Sequence, residues 1–255
     1  MAVAIYFTLI VLGPFAVAPL FPRDQLHFLS YFYSAPVLIC FYIDTVRGVA
    51  GLLGLVPRLG GTESGCSVRG NNTMVDCTDG RLTEIPVSLL SNLTTDLVFS
   101  KNRLSAIPTI HLAATPNLRF LDLKSNFITT IEEDAFRTTP FLKELILDGN
   151  FALSAIHVHG FRHLSNLVKL SIKLTAVSSL SRSHFEPLTS LQALRLVLNT
   201  FITAFSSDLF AAIVALVEVD IAACGKVSNA LFTQSLGLST LPLLIKLYVP
   251  PIVWS

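Results

Sequence analysis

Three groups of residues carry side chains able to do chemistry. His157, His159 and His163 lie in the stretch HVHGFRH, at a spacing that imidazoles use to hold metal ions. Glu132, Glu133 and Asp134 are consecutive carboxylates, the raw material of acid–base work or cation binding. Cysteines stand at 40, 66, 77 and 224. Their spacing is not that of a zinc site, and four are too few for a disulfide-dense scaffold. No nucleophile elbow, phosphate-cradling loop or dinucleotide fingerprint accompanies them. What these groups can do depends on the elements that position them.

Those elements are legible in the stretch LRFLDLKSNFITTIEEDAF, residues 118–136. A helix with a 3.6-residue period cannot place Leu121 and Leu123 on one face, whereas alternation in a strand can. The strand then stops at Asn126, with Ile128, Ile131 and Phe136 beyond it. Stepping back 24 residues reaches Asn102, behind Leu97 and Phe99, and stepping forward 24 reaches Asn150, behind Leu142, Leu145 and Leu147. The series continues through Thr175, Asn199 and Cys224, each behind the same apolar spacing, to a partial unit at Leu244, Leu247 and Val249. Phe161, Phe185 and Phe210 recur at the position of Phe136.

Such a period describes coils that stack, each too small to bury its apolar residues alone. The paired leucines of each strand point into the coil, and the later isoleucine and phenylalanine fill it from the return limb. The asparagine sits where the chain leaves the strand. Its amide can satisfy backbone groups of its own and neighbouring coils, which matters because a buried unpaired group costs about 1–3 kcal/mol. Thr175 and Cys224 occupy that position with smaller polar groups, so Cys224 reads as a ladder residue and not a reactive thiol.

The pattern L-x-x-L-x-L-x-x-N-x-L resembles the leucine-rich repeat, in the long form found in extracellular receptors and matrix proteins. The resemblance covers roughly residues 66–249 and implies an α/β-type solenoid. In that horseshoe a parallel β-sheet lines the concave face, and irregular or short helical returns form the convex side. CSVRGNNTMVDCTDGRLTEIP, residues 66–86, resembles the family's cysteine-capped N-terminal flank. That family usually carries four cysteines there, pairing first with third and second with fourth. Cys66 and Cys77 match the second and fourth, and Val68 stands at the third position, so the resemblance implies a Cys66–Cys77 disulfide. Cys40 and Cys224 are expected to stay unpaired.

The expected organisation is a hydrophobic signal or anchor region at 1–47 and a glycine-rich linker at 48–65. A cap follows at 66–92, then about six repeats over 93–249, the last incomplete, and a tail at 250–255. The apolar runs of the first region read as an export signal, as a retained membrane anchor, or as sequence from a faulty gene assignment. The apolar end at KLYVPPIVWS, lacking a cysteine-rich cap, implies a longer chain or a partner there.

Composition narrows the function. The chain is 52% hydrophobic and 14% charged, and its net charge of +1 gives no electrostatic case for nucleic acid. Two glycosylation acceptors, Asn71 and Asn92, agree with an oxidising compartment. The repeat register puts the histidines and Glu132–Asp134 on the convex return, where a solvated loop and charge run are expected. No nearby acidic group is apparent to complete a histidine ligand set. Neither a cofactor nor a metal is expected, nor an enzyme.

Strand residues between the leucines face outward. The expected partner surface is therefore Phe120, Asp122, Glu144, Ile146, Asp148, Lys169, Lys173, Arg195, Val197 and Leu198. Lys169, Lys173 and Arg195 come from adjacent coils, and their mutual repulsion implies an acidic partner. The expected function is an extracellular or cell-surface module that binds a protein ligand or co-receptor, resembling Toll-like receptor ectodomains. A structural matrix or adhesion protein and a cytosolic adaptor with reduced cysteines stand as alternatives.

Overall fold

The structure, a computed structural model, describes residues 65–202, 204–205, 208–222 and 241–248. The expectations for the first apolar region, the linker up to 64, Cys40, Cys224, Val249 and the tail lie outside the described residues.

Alternating leucines make short strands that stack in register. A nine-stranded sheet runs β1 (Ser67–Arg69), β2 (Met74–Asp76), β3 (Asp96–Val98), β4 (Phe120–Asp122), β6 (Glu144–Ile146), β8 (Lys169–Ser171), β10 (Ala193–Arg195), β12 (Glu218–Asp220) and β13 (Lys246–Tyr248). From β2 onward every pairing is parallel, so Leu97, Leu121, Leu145, Leu170, Leu194 and Val219 stack in one column. All six are at most 1% exposed. Burying side chains of this size is worth roughly 1.5–3 kcal/mol each before chain entropy is counted.

Each strand ends at a fixed turn. Lys101, Ser125, Gly149, Leu174 and Leu198, each just before the ladder position, all adopt left-handed backbone with φ between 55° and 69°. That conformation is uncommon outside glycine and is imposed here by the coil. The return limbs bring Phe136, Phe161, Phe185 and Phe210 inward, all fully buried. Ring centroids of Phe136 and Phe161 lie 6.1 Å apart, as do those of Phe185 and Phe210.

The convex side is more strand-like than expected. Two short parallel pairs form there, β5 (Thr130–Ile131) with β7 (Ala155–Ile156) and β9 (Ser179–Leu180) with β11 (Ala204–Phe205). Single-turn helices α1 (Thr109–Leu112) and α2 (Arg182–Phe185) occupy other returns. Ser181 and His184 close a capping box at the start of α2, and His184 Nε2 lies 2.9 Å from Ile156 O of the previous coil.

At the N-terminal end, β1 and β2 form an antiparallel hairpin with Ser67 opposite Asp76 and Arg69 opposite Met74. Cys66 and Cys77, at its open end, are disulfide-bonded. Val75, Cys77 and Ile85 are buried and cover the first coil's interior.

Candidate functional site: the concave sheet and its asparagine ladder

The ladder behind the sheet fixes its register. Asn126 accepts a hydrogen bond from Leu104 N at 3.0 Å and donates to Phe99 O at 2.9 Å and Leu123 O at 3.0 Å. One amide thus serves its own coil and the coil before it. Asn102, Asn150 and Asn199 repeat the arrangement on Cys77 O, Leu123 O and Ile172 O. Thr175 differs, because its hydroxyl donates forward to Asn199 Oδ1 at 2.8 Å.

With register fixed, the outward residues fall into columns across the sheet. One reads Met74, Asp96, Phe120, Glu144, Lys169, Ala193, Glu218, Lys246, and the next Asp76, Val98, Asp122, Ile146, Ser171, Arg195, Asp220. The structure therefore sets six of the expected residues, Phe120, Asp122, Glu144, Ile146, Lys169 and Arg195, in these two columns, and Asp148, Lys173, Val197 and Leu198 follow just beyond their strands. Phe120, Ile146, Val197 and Leu198 are half-buried there, showing part of their apolar area to solvent.

The charge pattern corrects the expectation of a repelling basic cluster. Lys169 Nζ lies 3.3 Å from Glu144 Oε2, Lys173 Nζ 3.3 Å from Asp148 Oδ2, and Arg195 Nη2 3.0 Å from Glu218 Oε1. Lys246 also approaches Glu218, at 3.7 Å. Lys169, Lys173 and Arg195 each have a carboxylate on a neighbouring coil: Lys169 meets Glu144 within one column, and Arg195 reaches diagonally to Glu218 in the other. The Arg195 hydrogen bond holds the Glu218 carboxyl below the usual carboxylate range.

The N-terminal half of the sheet is different. Asp76, Asp96 and Asp122 make no ion pair among the described residues. Their oxygens take local donors instead: Thr78 N and Oγ1 on Asp76, Thr95 Oγ1 on Asp96, and Lys124 N on Asp122. Burial pushes the Asp122 carboxyl above its ordinary range, and repulsion from Asp148 and Asp76 adds to the shift, against the lowering effect of Lys124. Sequence reasoning missed Asp76. Only the hairpin's placement of β2 beside β3 puts it in the Asp122 column.

Two further placements bear on function. Asn71 is exposed in the β1–β2 turn, and Asn92 is exposed before β3, while Thr94 of the second acceptor is fully buried. On the convex side, Glu133 Oε1 lies 3.3 Å from His159 Nδ1 and His163 Nε2 lies 3.0 Å from Asp134 Oδ1. The expectation that no acidic group is near the histidines is thus wrong. Stacking brings together residues 26 and 29 positions apart, a distance over which sequence proximity gives no signal.

Residues 91–150 and 140–201 match the leucine rich repeat family. This part of the chain consists of leucine-rich repeats, and the described solenoid has the fold of a leucine-rich-repeat horseshoe. The chain is 40% identical to mouse epiphycan over 79 residues, 31% of this chain and 24% of epiphycan. It is 35% identical over 120 residues to bovine leucine-rich repeat-containing G-protein coupled receptor 4, covering 47% of this chain and 10% of the receptor. The chain therefore spans a quarter or less of either relative. Human 5T4, a trophoblast glycoprotein, has a similar fold, with a TM-score of 0.61 at 18% identity over 78% of this chain and 83% of that one.

Proposed function

We propose that this protein is a non-enzymatic extracellular or cell-surface module that captures a protein partner on the N-terminal half of its concave sheet. The observation that carries this reading is the contrast within one surface. Lys169, Lys173 and Arg195 are neutralised by their neighbours, whereas Asp76, Asp96 and Asp122 make no ion pair among the described residues and lie beside half-buried Val98, Phe120 and Ile146, with Lys124 offsetting only part of the rise at Asp122. A carboxylate whose charged form is penalised by burial gains most from an incoming cation. The partner surface is accordingly basic with apolar contacts, not acidic, since apolar anchors ringed by complementary charge make protein interfaces. The disulfide and the exposed Asn71 and Asn92 support an oxidising, glycosylating location.

Proximity labelling on cells that express the full chain supplies the partner for the test. Asp96→Asn with Asp122→Asn should slow association at least several-fold, with a smaller effect at high salt. Glu132→Lys on the convex side should leave association unchanged. Loss of binding in the convex variant with retention in the concave one would overturn the assignment. Glycosidase digestion tests the location: absence of a mobility shift from both Asn71 and Asn92 would favour the cytosol.

A further inference from the structure

We propose that Glu133, His157 and His159 form a surface site for a divalent transition-metal ion of the zinc type, bridging two coils. The three residues each bring one ligand atom, and these atoms lie within 4.8 Å of one another. The His159 Nδ1 to Glu133 Oε1 separation is 3.3 Å. A tetrahedral ion bound at about 2.0–2.1 Å spaces its ligands by about 3.3–3.4 Å, so this edge is already formed. The imidazole centroids are 5.5 Å apart and inclined at 64°, close without stacking.

The fold builds this convergence. Pairing of β5 with β7 sets Ile131 beside Ile156, so the residues that follow each strand leave side by side. Beyond β7 the chain turns, Gly160 N donating to His157 O at 2.7 Å, and Asp134 N reaches across to His159 O at 3.4 Å. All three side chains are exposed, so an ion enters directly from solvent and water completes its coordination. Two imidazoles and one carboxylate suit zinc, copper or nickel better than calcium or magnesium, which favour all-oxygen sites.

Two existing contacts compete with the ion. Arg162 Nη2 lies 2.8 Å from Glu133 Oε1, and His157 Nδ1 accepts a 3.2 Å hydrogen bond from His159 N. Both are exposed. Arg162 also contacts Asp134 at 3.3 Å and keeps that partner when it releases Glu133. His163, paired with Asp134, stays outside the ligand set.

The test is Zn2+ titration of the full chain against a chromophoric chelator, with thermal unfolding as a second readout. Wild type should bind one more equivalent than the His157→Ala/His159→Ala variant, and Zn2+ should raise the Tm of wild type only. Cys40, Cys224, His27 and the remaining histidines are common to both, so their binding cancels. Glu133→Gln should weaken binding on the order of tenfold, about 1.4 kcal/mol. Arg162→Ala should tighten it several-fold. Equal stoichiometry in wild type and the double variant would overturn the site. Unchanged affinity in both Glu133→Gln and Arg162→Ala would also overturn it, showing adventitious binding by two surface histidines.

Discussion

Lys173 Nζ stands 3.3 Å from Asp148 Oδ2 on the neighbouring coil, and Asp148 is only 9% exposed. The same carboxylate accepts Ser171 Oγ at 2.7 Å and the Lys173 N–H at 3.0 Å. This lysine therefore serves the fold before it serves any partner. Lys173→Glu should cost roughly 1–2 kcal/mol, because it sets one carboxylate against another that is largely shielded from water. The more exposed Arg195→Glu, facing Glu218, should cost less. Chemical denaturation midpoints measure both, and an unchanged midpoint for Lys173→Glu would show that the pair bears no load.

Asn126→Ala removes an amide that serves Leu104 N, Phe99 O and Leu123 O. Leaving buried groups unpaired should destabilise by about 3 kcal/mol. Thr175→Ala removes one forward hydrogen bond to Asn199 and should cost nearer 1 kcal/mol. Equal losses in the two variants would contradict the unequal roles of the two ladder positions.

Asp122 and Glu218 should oppose each other in the pH dependence of stability. The folded Asp122 carboxyl is raised, so its charge weakens the fold at neutral pH, and that penalty lifts as pH falls through its folded pKa. Asp122→Asn should therefore be more stable than wild type at neutral pH, the difference closing on acidification. The folded Glu218 carboxyl is lowered, so its contribution is present above the ordinary carboxylate range and is lost as pH falls through its folded pKa. Glu218→Gln should be less stable at neutral pH, that difference also closing in acid. Thermal melts across the acid range decide the signs. An Asp122→Asn variant that loses partner binding while gaining stability would separate function from folding at this residue.

Removing the Cys66–Cys77 bond, by Cys66→Ala with Cys77→Ala, should destabilise by roughly 2–3 kcal/mol, as expected for so short a closed loop. The loss should localise to the cap, visible as faster amide exchange in β2 and β3 than in β8 and β10. Uniform exchange across the sheet would mean that the hairpin does not depend on its bond.

Much of the fold is legible one coil at a time. Asn102, Asn126, Asn150 and Asn199 announce themselves by spacing, and the flanking leucines declare which face is inside. The two-residue strands β5 and β7 are not legible, since Thr130–Ile131 and Ala155–Ile156 are too short to show alternation. Phe127, Phe141 and Phe201, between 54% and 60% exposed, fall outside the repeat template and carried no signal of their placement.

The sequence by itself determined the coil, its inward residues and the ladder, because each is set by contacts that recur at one fixed step along the chain; the cap disulfide was implied by resemblance to a family flank and not by that period. Tertiary structure alone decided which charges are spent. Whether Lys169 repels Lys173 or binds Glu144 depends on side chains meeting across strands 25 residues apart, where register and rotamer choose among several neighbours. The same holds for Asp76 beside the Asp122 column and for Glu133 against His159. Periodicity fixes where a backbone goes, while electrostatics acts between whatever that backbone brings within a few ångströms.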